Sequence, residues 1–215
     1  IDSRTLDNAL RIEYYTAYEW AYSMWAEYSN DNIYAPRYYA KEMLYQDSLI
    51  SVLPVGSPLH HYWKGENFYR HRRYAEAKNC YKKALEGLPV NVRLFAMATY
   101  GLALVYSRTN NWKEYENYLI KAAISDQVCP LKENLALQEL ALYIFKNRDG
   151  EVSRANRYLN YSLEDAMYYN NRLRMLEIAR KFPSIVLSYQ KQNLIESQRS
   201  QWSLICISLL SIGLV

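Results

Sequence analysis

The chain is poor in the residues that make turns and in those that make metal or redox sites. Six glycines and six prolines among 215 residues are too few for the closely spaced turns of a β sandwich or barrel. The three cysteines, Cys80, Cys129 and Cys206, are irregularly placed, which excludes a disulfide framework and a paired-cysteine zinc site. The three histidines, His60, His61 and His71, include one adjacent pair. Neighbouring residues on a helix point about 100° apart and cannot grip one ion unaided. No metal and no other cofactor is therefore expected. Glycine-rich phosphate loops and nucleophile elbows are also missing, which argues against an enzyme. The nearest approach to a paired acid is Glu164-Asp165, and with Arg172 and Arg174 close behind on a helical stretch it reads as structural ion pairing.

Charge of one sign is lacking too. Basic residues number 26 and acidic residues 22, a net charge of +4. The excess is spread along the chain, so electrostatics does not call for a nucleic-acid partner. The tightest basic cluster, Arg70-His71-Arg72-Arg73, reads as the solvated turn of a helical hairpin. What the chain does have is apolar and aromatic. Hydrophobic residues make up 50% of it, and 23 residues are tyrosine, many in doublets such as Tyr14-Tyr15, Tyr38-Tyr39 and Tyr168-Tyr169. A tyrosine packs as an apolar ring and keeps a polar tip, which suits shallow interfaces between stacked helices.

Ala, Leu, Glu and Lys recur at spacings of three and four, which predicts an all-α fold. Self-similarity then fixes its kind. Between His61 and Pro89 the sequence carries Gly65, Phe68, Tyr74, Ala77, Tyr81, Ala84 and Pro89. Small residues at Gly65, Ala77 and Ala84 let two helices approach, and the rings of Phe68, Tyr74 and Tyr81 fill the space beside them. Pro89 is expected to end the second helix. A second unit runs through Leu102-Ala103, Tyr106, Trp112, Leu119 and Ala122. A third has Leu137, Leu140-Ala141 and Ile144 in its first helix and Val152, Ala155, Leu159 and Ser162 in its second. Between them lies the helix-stop signal Asn147-Arg148-Asp149-Gly150. Gly65, Ala77, Ala84, Ala103, Ala122, Ala141 and Ala155 are thus the expected repeat-packing positions.

Residues 6–28 and 35–53 read as a further helical pair, a degenerate repeat capping the array. After the third unit a helix is expected over 171–181, a break at Pro183, and a last long helix from Ser184. From Trp202 to Val215 every residue is uncharged and most are apolar. The chain stops inside that run, which predicts the first two-thirds of a transmembrane helix with Trp202 at the interface. The alternative is an apolar helix that folds back to cap the array. The predicted organisation is a capping hairpin at 1–57, three repeats at 58–169, a helical stalk at 170–201 and the start of a membrane span at 202–215.

Residues 58–169 resemble the tetratricopeptide repeat superfamily, which implies a right-handed superhelical solenoid of antiparallel helix pairs, here with a long C-terminal helix. More narrowly, residues 122–190 are similar to a Bacteroidetes family of membrane-anchored tetratricopeptide transcriptional regulators. The similarity rests on Ala122-Ala123-Ile124-Ser125-Asp126, Arg154-Ala155, Ser162-Leu163-Glu164-Asp165-Ala166, Arg172-Leu173-Arg174, Pro183 and Tyr189-Gln190. It implies a sensor half ahead of one membrane helix in the bacterial inner membrane, with the repeats on the periplasmic side and any DNA-binding part outside this chain.

Ligands of such superhelices bind the inner face of the first helix of each pair. In the register above, that face presents Tyr62, Glu66, Tyr69, Arg70, Tyr100, Leu104, Ser107, Arg108, Gln138 and Leu142. Rings mixed with Arg70 and Arg108 suit an extended peptide or a protein domain. The expected partners are therefore a peptide or protein in this groove and a membrane at the C-terminal helix, with no nucleic acid; a homodimer is compatible with this reading. A soluble adaptor is the alternative function.

Overall fold

The computed structural model describes residues 3–29, 31–130 and 135–213. Within them the chain is all-helical. A short 3-10 turn, Ser3–Thr5, precedes α1 (Asn8–Ser29), α2 (Ala35–Val52), α3 (Pro58–Arg70), α4 (Tyr74–Leu85), α5 (Arg93–Arg108), α6 (Trp112–Val128), α7 (Leu135–Asn147), α8 (Val152–Tyr168), α9 (Arg172–Lys181) and α10 (Pro183–Gly213). They form the hairpins α1/α2, α3/α4, α5/α6 and α7/α8, the helix pairs of a tetratricopeptide-like fold.

Local chemistry sets the boundaries. The Ser57 side chain accepts from the His60 backbone N–H at 3.2 Å, and Pro58 follows at the first helical position, where its missing N–H costs nothing. Asn111 and Asn171 cap α6 and α9 in the same way, accepting from Glu114 N–H and Arg174 N–H at 3.3 Å each. The turns inside the pairs need left-handed backbone, supplied by Arg72, Asn110 and Gly150. Pro89 does not end α4. That helix stops at Leu85, and Gly87, with φ +74, turns the chain two residues before the proline. Pro183 separates α9 from α10 as the first residue of the latter.

The chain divides into two compact units, residues 1–131 and 132–215, each described by itself. The first is built around Leu49, Leu53, Trp63, Tyr81, Ala84, Leu102 and Val105. In the second, Leu140, Ala141, Ile144, Ala155 and Leu159 are buried, and Phe182 and Ile185 anchor the start of α10, which packs on α8 and α9.

The rest of α10 is different. Trp202, Leu204, Ile205, Ile207 and Leu209 are all exposed, so they do not pack on the helices of their own unit. Among the described residues no helix is long and apolar enough to cross a membrane. The polar stretch from Gln190 to Gln201 confines the apolar part of α10 to its last turns. The end of the span expected at 202–215, residues 214 and 215, lies outside the described residues.

Candidate partner-binding face

Four second helices bury the same pattern of side chains, spaced four and then three residues apart. Glu42, Gln46 and Leu49 do so on α2, and Ala77, Tyr81 and Ala84 on α4. Tyr115, Leu119 and Ala122 follow on α6, and Ala155, Leu159 and Ser162 on α8. This stripe is the one a second helix turns toward its neighbours. On α4 it works by a ring in two slots. A Cβ on Gly65 of α3 would meet the Tyr81 ring at 2.8 Å, and one on Gly101 of α5 would meet it at 2.6 Å. The fully buried Tyr81 ring is thus clasped between two helices that only glycine lets come so close. Gly101 was not among the expected packing positions; Ala103, which was, is buried as well, as are Ala77, Ala84, Ala122, Ala141 and Ala155.

The ten residues expected in the groove fall into three groups. Tyr62 and Gln138 do not face outward. Tyr62 is buried against Trp63 and Tyr81, at ring separations of 5.2 and 6.0 Å, and Gln138 is buried within α7, with neither its Nε2 nor its Oε1 bonded. Both sit on the packed side of their helices, because the surface that closes each helix pair is wider than the repeat pattern implied. Glu66 and Arg70 are drawn inward by polar partners. Tyr81 donates to Glu66 Oε1 at 2.7 Å, and Arg70 pairs with Glu42 of α2. The basic cluster in the turn therefore loses Arg70 to the interior, whereas Arg73 stays at the surface, pairing with Glu76 at 2.8 Å over the Phe68 ring.

The remaining residues of the first unit form a usable surface. Tyr69, Tyr100, Leu104 and Ser107 are half-buried and Arg108 is exposed. Arg108 Nε donates to the Tyr69 hydroxyl at 3.2 Å, which joins α3 to α5 and holds the guanidinium beside a ring. Tyr69 also leans on Tyr74 at 5.8 Å. Leu142, half-buried on α7, belongs to the second unit.

A second surface was not anticipated. On the α1/α2 hairpin, Tyr18 and Tyr22 stack on Tyr45 at 4.9 and 5.6 Å. Tyr14 and Trp25 extend the row in either direction, and the Lys41 ammonium lies 5.5 Å over Tyr22. Two clefts open beside these rings. One, of ≈ 320 Å³, is lined by Ser3, Tyr14, Tyr15, Lys41, Leu44, Tyr45 and Ser48. The other, of ≈ 180 Å³, is lined by Trp25, Tyr28, Ser29 and Tyr38. The signal was present in the sequence as Tyr14, Tyr18 and Tyr22, one helical turn apart.

Behind the first surface lies a buried polar cluster. Glu42 is 1% exposed and Glu19 of α1 is buried beside it. Burial and the Glu42 charge push the Glu19 carboxyl up to about 8, against a smaller opposing pull from Arg70. Burial likewise raises Glu66, although the bond from Tyr81 and the Arg70 charge oppose it. For Arg70 burial disfavours the cation, but Glu42, Glu66 and Glu19 outweigh it and raise its pKa. Among the described residues no three His, Cys, Asp or Glu side chains converge as a metal ion requires.

A family model described as the SusR N-terminal TPR domain matches residues 1–180. No curated protein matches the chain.

Proposed function

Because the chain belongs to the SusR N-terminal TPR domain family, we propose that it is the partner-sensing part of a bacterial transcriptional regulator. Tetratricopeptide domains are helical scaffolds for protein-protein interaction and typically carry no catalysis. The observation that carries the reading here is the face shared by α3 and α5. Its rings and aliphatic stems are half-exposed, and Arg108 is pre-oriented by Tyr69. Such a face takes an extended peptide segment: rings pack on its apolar side chains and the guanidinium pairs with an acidic group. The exposed apolar end of α10 supports attachment of the regulator to a membrane by that end.

The row of rings on α1/α2 with its two clefts favours a second reading, in which the partner sits on the terminal hairpin. One experiment separates the two. Peptides selected from a random display library against the full chain are titrated by fluorescence anisotropy against three proteins: the wild type, a Tyr69→Ala/Arg108→Ala variant and a Tyr18→Ala/Tyr45→Ala variant. The α3/α5 reading expects at least a tenfold loss in the first variant alone. A loss confined to the second transfers the site to the hairpin, and equal binding by all three sinks both. Membrane attachment is tested by flotation with lipid vesicles, which must disappear when 202–215 are deleted.

A further inference from the structure

The cluster of Glu19, Glu42, Glu66 and Arg70 has no part in the partner face, yet it lies where α1, α2 and α3 meet, and it does not balance. Three carboxyl groups from three helices act on one guanidinium, Glu42 in direct contact and Glu66 and Glu19 through their charge. The buried phenols beside the cluster are neutral, Tyr62 from α3 and, through Glu66, Tyr81 from α4, and the exposed Tyr39 of α2 feels the same charges. Desolvation raises the pKa of each, so they stay protonated. Fully ionised, the cluster would hold two uncompensated negative charges away from water, which is far more costly than keeping a proton.

The hydrogen bonds show where a proton is needed. Glu42 uses Oε1 for Arg70, while its Oε2 is buried and receives no bond. Its neighbour across the hairpin is Glu19, buried and under the influence of the Glu42 charge, and a carboxylate there has nothing to donate. A protonated Glu19 supplies the missing donor. We propose that this junction is a proton-operated latch: the α1/α2 hairpin stays seated on α3 while Glu19 keeps its proton and offers it to Glu42 Oε2, and it loosens when that proton leaves. Glu66 keeps its bond from Tyr81 in either state, so Glu19 is the group whose surroundings change on release. The inference goes beyond the recognition reading and stands without it.

The sign follows from linkage. Glu19 binds its proton more tightly in the seated state, with a pKa of about 8 against an ordinary value of 4.5. The seating it provides is therefore complete below the ordinary value and is lost as pH rises through the higher one. The test is hydrogen exchange on the full chain, corrected for the pH dependence of the chemical exchange step. The opening constant of the α1/α2 amides is expected to rise about tenfold per pH unit between about 5 and 8 and then level off, with α5/α6 as the internal reference. Glu19→Gln, which donates at every pH, should hold the hairpin closed with no slope in that window. A flat wild-type profile, or the same slope in the variant, overturns the latch. If the variant does not fold, the carboxyl ¹³C titration of wild-type Glu19 decides: a midpoint near 8 supports the proposal, and one near 4.5 ends it.

Discussion

Two neighbouring seams of the first unit are built on one geometric plan with opposite chemistry. Where α4 meets α5, the stripe on the second helix is Ala77, Tyr81 and Ala84, and the joint is closed by shape, with one ring filling two glycine slots and only its hydroxyl reaching a polar group, Glu66. Where α2 meets α3, the corresponding positions hold Glu42, Gln46 and Leu49. The joint there is a salt bridge, an unbonded carboxylate oxygen and an unbonded Gln46 Nε2. The reason for the difference lies in the first helices. A ring at the Gln46 position would need glycine on both sides, but α1 contains none, and the slot at Gly65 is already occupied by Tyr81. With no room for a ring, the seam is closed by smaller polar groups. Shape complementarity does not change with pH, whereas the polar seam holds only with its protons and partners in place.

The comparison breaks most visibly if its shape-closed side is emptied. Tyr81→Ala removes a fully buried ring that touches α3 and α5 together, and thermal or urea unfolding should register a loss of about 4 kcal/mol, which deepens as Glu66 ionises because the bond from Tyr81 that favours its carboxylate is gone. On the polar side Arg70→Met leaves Glu42 buried without its cation. The cost should be about 3 kcal/mol, at the low end for a broken buried pair because the Arg70 side chain is 26% exposed. This loss should depend on pH. Arg70 pulls the Glu19 pKa down, so without it Glu19 holds its proton to still higher pH and the window of lost stability moves upward from about 8. Adding Glu42→Gln to Arg70→Met should recover most of the loss, since removing both charges costs far less than stranding one. If the double variant is as unstable as the single, the seam is held by packing and the contrast drawn above is wrong.

A smaller change tests the slots themselves. Gly101→Ala puts a methyl group 2.6 Å from Tyr81 Cζ, a clash that the buried ring cannot evade, and about 2 kcal/mol should be lost. In a Tyr81→Leu background the same substitution should cost a small fraction of that, because the ring edge is gone. Equal costs in the two backgrounds would mean that Gly101 matters for some reason other than the ring.

The two seams were also unequally readable from sequence. The shape-closed one announces itself, since Gly65, Ala77, Tyr81 and Ala84 are small and large residues in a spacing that only close helix packing explains. Even so, Gly101 does not stand out beside Ala103, because the pattern of one helix does not say which small residue meets a ring from another. The polar seam is silent. Glu42 and Gln46 fall on the same four-and-three spacing as the apolar stripes, but a charged residue on a helix is ordinarily solvated, so the stripe reads as interrupted. Glu66 and Arg70, one turn apart on α3, read as groove residues for the same reason. What takes Arg70 inward is an acid on α2, 28 residues before it, and what takes Glu66 is Tyr81 of α4; periodicity within one helix carries no trace of either. Tyr62 errs the other way, since its place on a first helix suggested a groove that the packing of Trp63 and Tyr81 fills.

The smallest effect is expected at the rim of the polar seam, and it decides whether polarity or burial sets the pH response. Asn67 of α3 donates to Asp47 of α2 at 2.9 Å, joining the same two helices as Glu42 and Arg70 but at an exposed site. Water replaces that bond readily, so Asn67→Ala should cost about 0.5 kcal/mol in urea unfolding. It should leave the pH profile between 5 and 8 unchanged, because the bond lies at the exposed rim, apart from the buried carboxyls. A pH slope altered by Asn67→Ala would mean that the rim and the buried carboxyls titrate as one network. In that case the pH response belongs to the whole α2–α3 seam and is not confined to Glu19.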